Sequence, residues 1–281
     1  MMPLHRRAKP LLGTLVEIGF DIGSPSSQAA AFEASEAAFS AIARVHQHMS
    51  RHEAGSELTA INTAPRGGWV LLSADTLAVL SFALSLSHET DGVFDVFSSR
   101  EAPDAPHLAP WQAIELDAAG QRVRKHALYG AGCSGHTLHA DLGGIAKGYA
   151  VDCAVDALLT AGVARGWVNA GGDVRVFGDL QLPVQVRSPV DASQLLECTV
   201  LKNRALATSA TSAHASQSGT DAPVALYHGA SRQRAAAGHS WTVAAPHCMT
   251  ADALTKVVAA TGNPQHPVLA AHAAQSWIFQ A

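Results

Sequence analysis

Residues 141–152 read Asp-Leu-Gly-Gly-Ile-Ala-Lys-Gly-Tyr-Ala-Val-Asp and residues 169–173 read Asn-Ala-Gly-Gly-Asp, so two glycine pairs bracket one helical stretch. Gly143 and Gly144 let backbone N–H groups approach an anion closely, and a helix beginning after them aims its positive end at the same place. This is the outline of a phosphate pocket. Lys147 is the odd member: a lysine in the first turn of a helix opposes the macrodipole, at a cost on the order of a few tenths of a kcal/mol, unless an anion or Asp141 compensates it. A diphosphate would do both jobs. The helix is expected over 144–161, with Ile145, Tyr149, Val155 and Leu158 on its core side and Gly162 ending it. The stretch fits neither Gly-x-Gly-x-x-Gly nor Gly-x-x-x-x-Gly-Lys-Ser/Thr, so neither a dinucleotide fingerprint nor a P-loop is read from it, and a tight turn before a surface lysine is an equal reading on spacing alone.

Outward from this core, Leu15–Phe20 reads as an opening strand, and Ser26 and Ser27 precede a helix whose apolar positions Phe32, Phe39, Ile42, Val45 and Met49 recur at helical spacing. Ser73 is the expected cap of a second helix, packed through Leu77, Leu80, Leu84 and Leu86 and ended by Thr90-Asp91-Gly92. Residues 100–110 read as a loop. Trp111–Leu116 and Gln121–Arg124 read as two strands around a turn. Further strands are expected around Gly171-Gly172, at 184–187 and at Trp241–Ala245, a surface loop at 209–223, and a last helix opened by Thr250 that carries Asp252 in its first turn. Strands and helices alternate irregularly, which argues an α+β fold of mixed, largely antiparallel sheets with packed helices, over 1–281 as a single domain.

The chain of 281 residues is 48% hydrophobic and 15% charged, enough to bury a large core. A net charge of -4 and a pI of about 6.4 give no long-range attraction for nucleic acid or anionic lipid, so phosphate recognition must be local. No stretch is long and apolar enough to span a membrane, and neither an export signal nor a lipoprotein signal is seen in the N-terminal residues, so the cytoplasm is the expected location. The four cysteines are isolated, with no CxxC pair to hold zinc. Of the fifteen histidines, His46, His48 and His52 share no clean metal-ligand spacing with a fourth donor.

Two further places carry candidate chemistry. Asp252, Thr255 and Lys256 fall on one helix face, where a carboxylate and a hydroxyl suit a hard cation such as magnesium; an ordinary acid at a helix start is the competing reading. Gly92-Val93-Phe94-Asp95 sets an aromatic ring beside a carboxylate, able to hold a ring and its polar edge or simply to place Phe94 in the core.

Taken together, the motifs resemble the FAD:protein FMN transferase (ApbE) family. The matching pieces are Leu12-Gly13-Thr14, Met49-Ser50, Ser56-Glu57-Leu58, Ile61-Asn62, Val93-Phe94-Asp95 with Gly92, residues 141–152, Val168–Asp173, Ala207-Thr208-Ser209 and Ala251–Leu254, in the family's order along nearly the whole chain. The resemblance implies an ApbE-like fold and an enzyme that uses magnesium to split the diphosphate of FAD, its substrate. The FMN half passes to a Ser or Thr hydroxyl of an acceptor flavoprotein and AMP is released; nucleic acid is no partner. Carried over by position, Leu12, His52, Val93, Phe94, Asp95, Asp141 and Lys147 would line the FAD site. Gly144, Asp252 and Thr255 would hold the metal, and Lys147 and Asp252 would be catalytic. The chain departs from the pattern in four places. His52 stands where an aromatic is usual. Val96-Phe97-Ser98-Ser99-Arg100 replaces a Gly-Pro-Leu loop, Lys256 replaces a threonine four residues after the aspartate, and Ala225 replaces a histidine that His228 is displaced from matching. A non-catalytic FAD-binding protein and an uncoupled FAD diphosphatase giving FMN and AMP are the alternative activities.

Overall fold

The computed structural model describes residues 4–21, 27–99, 109–126, 138–189, 191, 193–211, 226–229, 231 and 233–280. Ser26, residues 100–108 of the expected loop at 100–110, most of the one at 209–223, Cys133 and Ala225 lie outside them. In chain order the elements are β1 (Leu4–Leu11), β2 (Thr14–Asp21), α1 (Gln28–Met49), α2 (Glu57–Thr63), β3 (Val70–Leu71), α3 (Ala74–Glu89) and β4 (Phe97–Ser99). After a 3-10 turn (Pro110–Ala113) come β5 (Ile114–Asp117), β6 (Arg122–Lys125), β7 (Leu138–Ala140), α4 (Ala146–Thr160), β8 (Gly166–Ala170) and β9 (Asp173–Phe177). The chain continues with β10 (Gln181–Arg187), β11 (Leu195–Lys202), β12 (Ala205–Ala210), β13 (His239–Ala245), α5 (Cys248–Thr261), α6 (Pro267–Ala271) and β14 (Gln275–Gln280). The architecture is α+β with antiparallel sheets, as the irregular alternation of elements argued.

Two compact units emerge, the first from residues 1–44, 147–228 and 233–281, the second from 45–146 and 229–232. The first unit is built on a seven-stranded sheet in the order β1-β2-β8-β9-β12-β13-β14. Side chains alternate between its faces, as a pleated strand requires. On β9, Asp173 and Arg175 point to the side of α4 and α5, where they meet Lys147 and Asp152. Val174 and Val176 point to the other side and form a core cluster with Leu201, Leu206 and Ala244 beside the β10–β11 hairpin. α5 packs on β12 and β13 and is buried along nearly its whole length, so it lacks a polar stripe; Ala251, Leu254, Val257 and Val258 lie at 0% exposure.

In α1, Ala31, Ala34, Ala38, Phe39 and Ile42 form the buried stripe, whereas Phe32 is 51% exposed beneath the Arg7 guanidinium, which lies 4.2 Å from its ring centre. Small alanines took the core positions that the spacing assigned to Phe32. The last helical segment is α6 rather than α5, and α5 starts two residues earlier than Thr250, which places Asp252 past its first turn.

The second unit holds α2, α3, a three-stranded sheet β3-β6-β5 and the β4–β7 pair. Ser73 caps α3 as expected, its hydroxyl accepting the Thr76 N–H at 3.3 Å, and Ser56 caps α2 in the same way through Thr59 at 3.0 Å. Trp111–Ala113, expected in a strand, form the 3-10 turn instead, started by Pro110.

Candidate active site

The first unit gathers two lysines and two aspartates around the start of α4 and the middle of α5. Lys147 lies in the first turn of α4, and its ammonium is paired with Asp173, not with the Asp141 that the sequence offered. Asp173 opens β9 directly after the Gly171-Gly172 turn. Both glycines have positive φ, +62° and +105°, and a Cβ on Gly171 would meet the Thr14 hydroxyl at 2.5 Å, so the turn that delivers Asp173 needs these glycines. Asp173 is 1% exposed, while the Lys147 side chain stays 30% exposed, so the cation is anchored on a buried carboxylate yet open on one side.

Asp252 is 1% exposed. One carboxylate oxygen accepts from Lys256, one turn further along α5, and the other accepts the Gly148 N–H at 3.1 Å. Gly148 is where α4 and α5 touch: a Cβ there would lie 2.3 Å from the Cys248 carbonyl oxygen and 2.8 Å from the Asp252 Cβ. The Thr255 hydroxyl donates to the Asp252 carbonyl at 2.7 Å and pairs with the Ser209 hydroxyl, also at 2.7 Å.

The charges explain the protonation preferences. Burial alone would raise the Asp252 carboxyl, but the Lys256 and Lys147 ammonium groups outweigh it and hold Asp252 below the usual carboxylate value. Asp173 moves the other way, pushed up to about 6 by burial and by the Asp252 charge against the pull of Lys147 and Lys256. Burial would lower Lys147; the Asp173 and Asp252 charges overcome this and raise it. A proton entering the cluster therefore goes to Asp173 and leaves Asp252 ionised.

Behind this cluster, Asp152 accepts the backbone N–H groups of Cys248 and Met249, both at 2.9 Å, and the Arg175 guanidinium at 2.9 Å. It caps α5 from another helix, placing a negative charge at the positive end of the α5 dipole and fixing where Asp252 and Lys256 project.

In the second unit, Asp141 accepts the Gly143 N–H at 2.8 Å and faces Arg51 at 3.5 Å, while Arg51 also donates to His52 at 3.2 Å. Gly144 sits in the turn where the Ile145 and Ala146 N–H groups return to the Leu142 carbonyl at 3.1 and 2.8 Å. Phe94 is 4% exposed, a core residue. Asp95 accepts backbone N–H groups from Phe97 at 2.8 Å and Trp111 at 3.2 Å, and the Val93 carbonyl accepts the Gly229 N–H at 2.9 Å. In the first unit, Leu12 stands at the β1–β2 turn with φ +55°, unusual for a leucine.

Of the sequence-derived candidates, the structure thus brings Lys147, Asp252 and Thr255 together in the first unit, with Leu12 at that unit's hairpin. His52, Asp141, Gly144 and the 93–95 stretch belong to the second unit. Sequence reasoning gave no role to Asp173, Asp152 and Arg175. The first two close the glycine motifs at 169–173 and 141–152, and an acid ending each motif was the available signal.

The magnesium ion implied by the resemblance was tested against these residues. A hard divalent cation needs several oxygen lone pairs converging at close to octahedral geometry. Here one Asp252 oxygen is engaged by an ammonium, the other by an amide, and the Thr255 hydroxyl by a carbonyl and by Ser209. Two lysines already balance the two carboxylates. Among the described residues no group of three or more His, Cys, Asp and Glu is placed to hold a metal. So engaged, Asp252 and Thr255 do not fit the ion.

A cavity of about 990 Å³ opens on the other face of the seven-stranded sheet, lined among others by Trp167, Asn169, Arg187, Thr208 and Ser240; Lys147, Asp173 and Asp252 take no part in it. No helix among the described residues is long and apolar enough to cross a membrane.

The ApbE family matches residues 12–278. An ApbE protein of Thermotoga maritima superposes with a TM-score of 0.71 at 25% identity, over 91% of this chain and 86% of that one. The flavin transferase ApbE of Vibrio cholerae gives 0.68 at 21% identity, over 92% and 87%. The flavinyl transferase ApbE of Pseudomonas stutzeri gives 0.66 at 18% identity, over 91% and 84%. The last two show a shared fold. No curated protein matches.

Proposed function

The chain belongs to the ApbE family, and from that premise we propose that it is a flavin transferase that moves the FMN part of FAD onto a Ser or Thr hydroxyl of an acceptor flavoprotein. The acceptor oxygen attacks the phosphorus on the FMN side of the diphosphate. The anhydride P–O bond breaks, AMP leaves with the bonding pair, and the hydroxyl proton is released as the phosphoester forms. The observation that carries this reading is Lys147: a cation fixed by a buried carboxylate yet 30% exposed, in the first turn of a helix. Transfer of a phosphoryl group calls mainly for positioning and for charge placed against the phosphate oxygens, and a prefixed ammonium supplies both. That the Vibrio cholerae relative is a flavin transferase and the Pseudomonas stutzeri relative a flavinyl transferase supports the same reading.

In this proposal Leu12 belongs to the FAD site of the first unit, where Lys147 meets the diphosphate, and Asp252 acts as a positioning residue for Lys256. Residues 1–281 work as one functional domain, and the acceptor is sought in the cytoplasm, which fractionation of the native protein checks. The test of the reaction incubates the purified protein with FAD and candidate acceptors, following AMP and FMN by chromatography and a flavin adduct by mass spectrometry. AMP release together with an adduct of FMN mass on a Ser or Thr is expected. FMN and AMP without any adduct would establish a diphosphatase, and FAD bound but intact would establish a binding protein.

A further inference from the structure

Lys256 engages the Asp252 carboxylate oxygen that Gly148 leaves open. Its ammonium contacts one carboxylate oxygen across one helical turn, its side chain is only 20% exposed, and Gly148 takes the other oxygen. The Thr255 hydroxyl, on the same helix, is turned to the Asp252 carbonyl and to Ser209. With Asp173 held by Lys147, the cluster contains two negative and two positive side chains and is neutral without any ion. An incoming dication would have to expel a buried ammonium or sit beside two of them in surroundings where charges are poorly screened. An ammonium donates hydrogen bonds to phosphate oxygens and to a carboxylate at the same time.

We propose that Lys256 is a built-in replacement for the divalent cation, so that this chain grips a diphosphate between two lysine ammonium groups, Lys147 and Lys256, and works without a metal. The part that concerns the diphosphate rests on the FAD reading above; the part that concerns the metal does not. The consequence for specificity is that anion recognition depends on two fixed positive charges and is insensitive to chelators.

Two readouts separate these parts. Mn2+ alone is titrated into the protein and the free ion followed by electron paramagnetic resonance. No saturable site is expected in the wild type, and one should appear in Lys256→Thr, which restores a hydroxyl and frees the Asp252 carboxylate. A stoichiometric site in the wild type that Asp252→Asn removes would overturn the proposal, and this arm needs neither turnover nor FAD. FAD binding is then followed by flavin fluorescence in chelator and in magnesium. Equal affinity is expected for the wild type, with a magnesium dependence of about tenfold or more for Lys256→Thr, equivalent to about 1.4 kcal/mol. Wild-type binding that collapses in chelator would overturn the proposal as well. No FAD binding under either condition would instead refute the FAD reading, while the Mn2+ result still decides whether lysine has displaced the metal. Should Lys256→Thr not fold, the wild-type arms stand alone.

Discussion

Replacing Gly148 by alanine tests whether the contact between α4 and α5 sets the site. Glycine inside a helix is ordinarily worse than alanine by about 1 kcal/mol, so the change should stabilise a free-standing helix by that amount. Here the new Cβ would stand 2.3 Å from the Cys248 carbonyl oxygen, 2.7 Å from the Cys248 carbonyl carbon and 2.8 Å from the Asp252 Cβ. Ordinary contact begins near 3.4 Å, so α4 and α5 must part by about 1 Å, and two of the three obstructing atoms are backbone that cannot rotate away. Overpacking in a closed interior costs about 1–3 kcal/mol, and an obstruction of this kind falls at or above the upper end. After the propensity gain is subtracted, a net loss of about 2–3 kcal/mol is expected, or a melting temperature lower by about 5–10 °C for a chain of this size. The parting also stretches the 3.1 Å bond from the Gly148 N–H to Asp252, so FAD affinity should fall along with stability. Urea unfolding of both proteins gives the first number and flavin fluorescence the second. An unchanged or raised stability would refute the reasoning, since the propensity term would then be the only one operating.

Asp152→Asn removes the charge facing Arg175 and turns an N–H2 toward an amide donor at the start of α5, so a loss of about 1–3 kcal/mol in urea unfolding is expected; a change within error would mean the cap is dispensable. Leu12→Asn keeps the two-residue β1–β2 turn, in which φ is +55° and then +69°, and replaces a leucine with a residue that tolerates this conformation. It should stabilise the fold by about 0.5–1 kcal/mol while weakening FAD binding; a variant with unchanged affinity would remove Leu12 from the proposed flavin site. Asp173, raised to about 6 from the about 3.9 of an unfolded aspartate, binds its proton more tightly in the folded chain. Its contribution is complete below about pH 4 and is lost as pH rises through about 6, by at most about 3 kcal/mol. The stability of the wild type minus that of Asp173→Asn should therefore fall between about pH 4 and pH 6.5, and a difference that stays flat in thermal melts across that range would contradict the assignment.

Much of the local structure was legible in the chain. Ser73 and Ser56 differ in what the sequence offered: the first stood before a clear apolar period and was read as a cap, while the second introduced a helix of only seven residues, too short for a period to show. Phe32 misled because periodicity counts large apolar residues, whereas α1 packs through alanines that let it sit close.

At the candidate site, residue types and glycine spacing offered Lys147, Asp252 and the turns that present them beside equally plain structural readings, and the family resemblance chose between the two; the turns themselves were legible because the needs of a tight turn and of a helix end are met within a few neighbouring residues. Which charges meet is a different matter, since partners far apart in sequence are chosen by how helices and strands pack. Lys147 found Asp173 on β9 rather than Asp141 nearby, and Asp152 capped a helix that begins 96 residues later. Burial then fixed the chemistry: once Asp252 was sealed between α4 and α5, its charge required a partner, and Lys256, which helical spacing had already set on the same face, took that place.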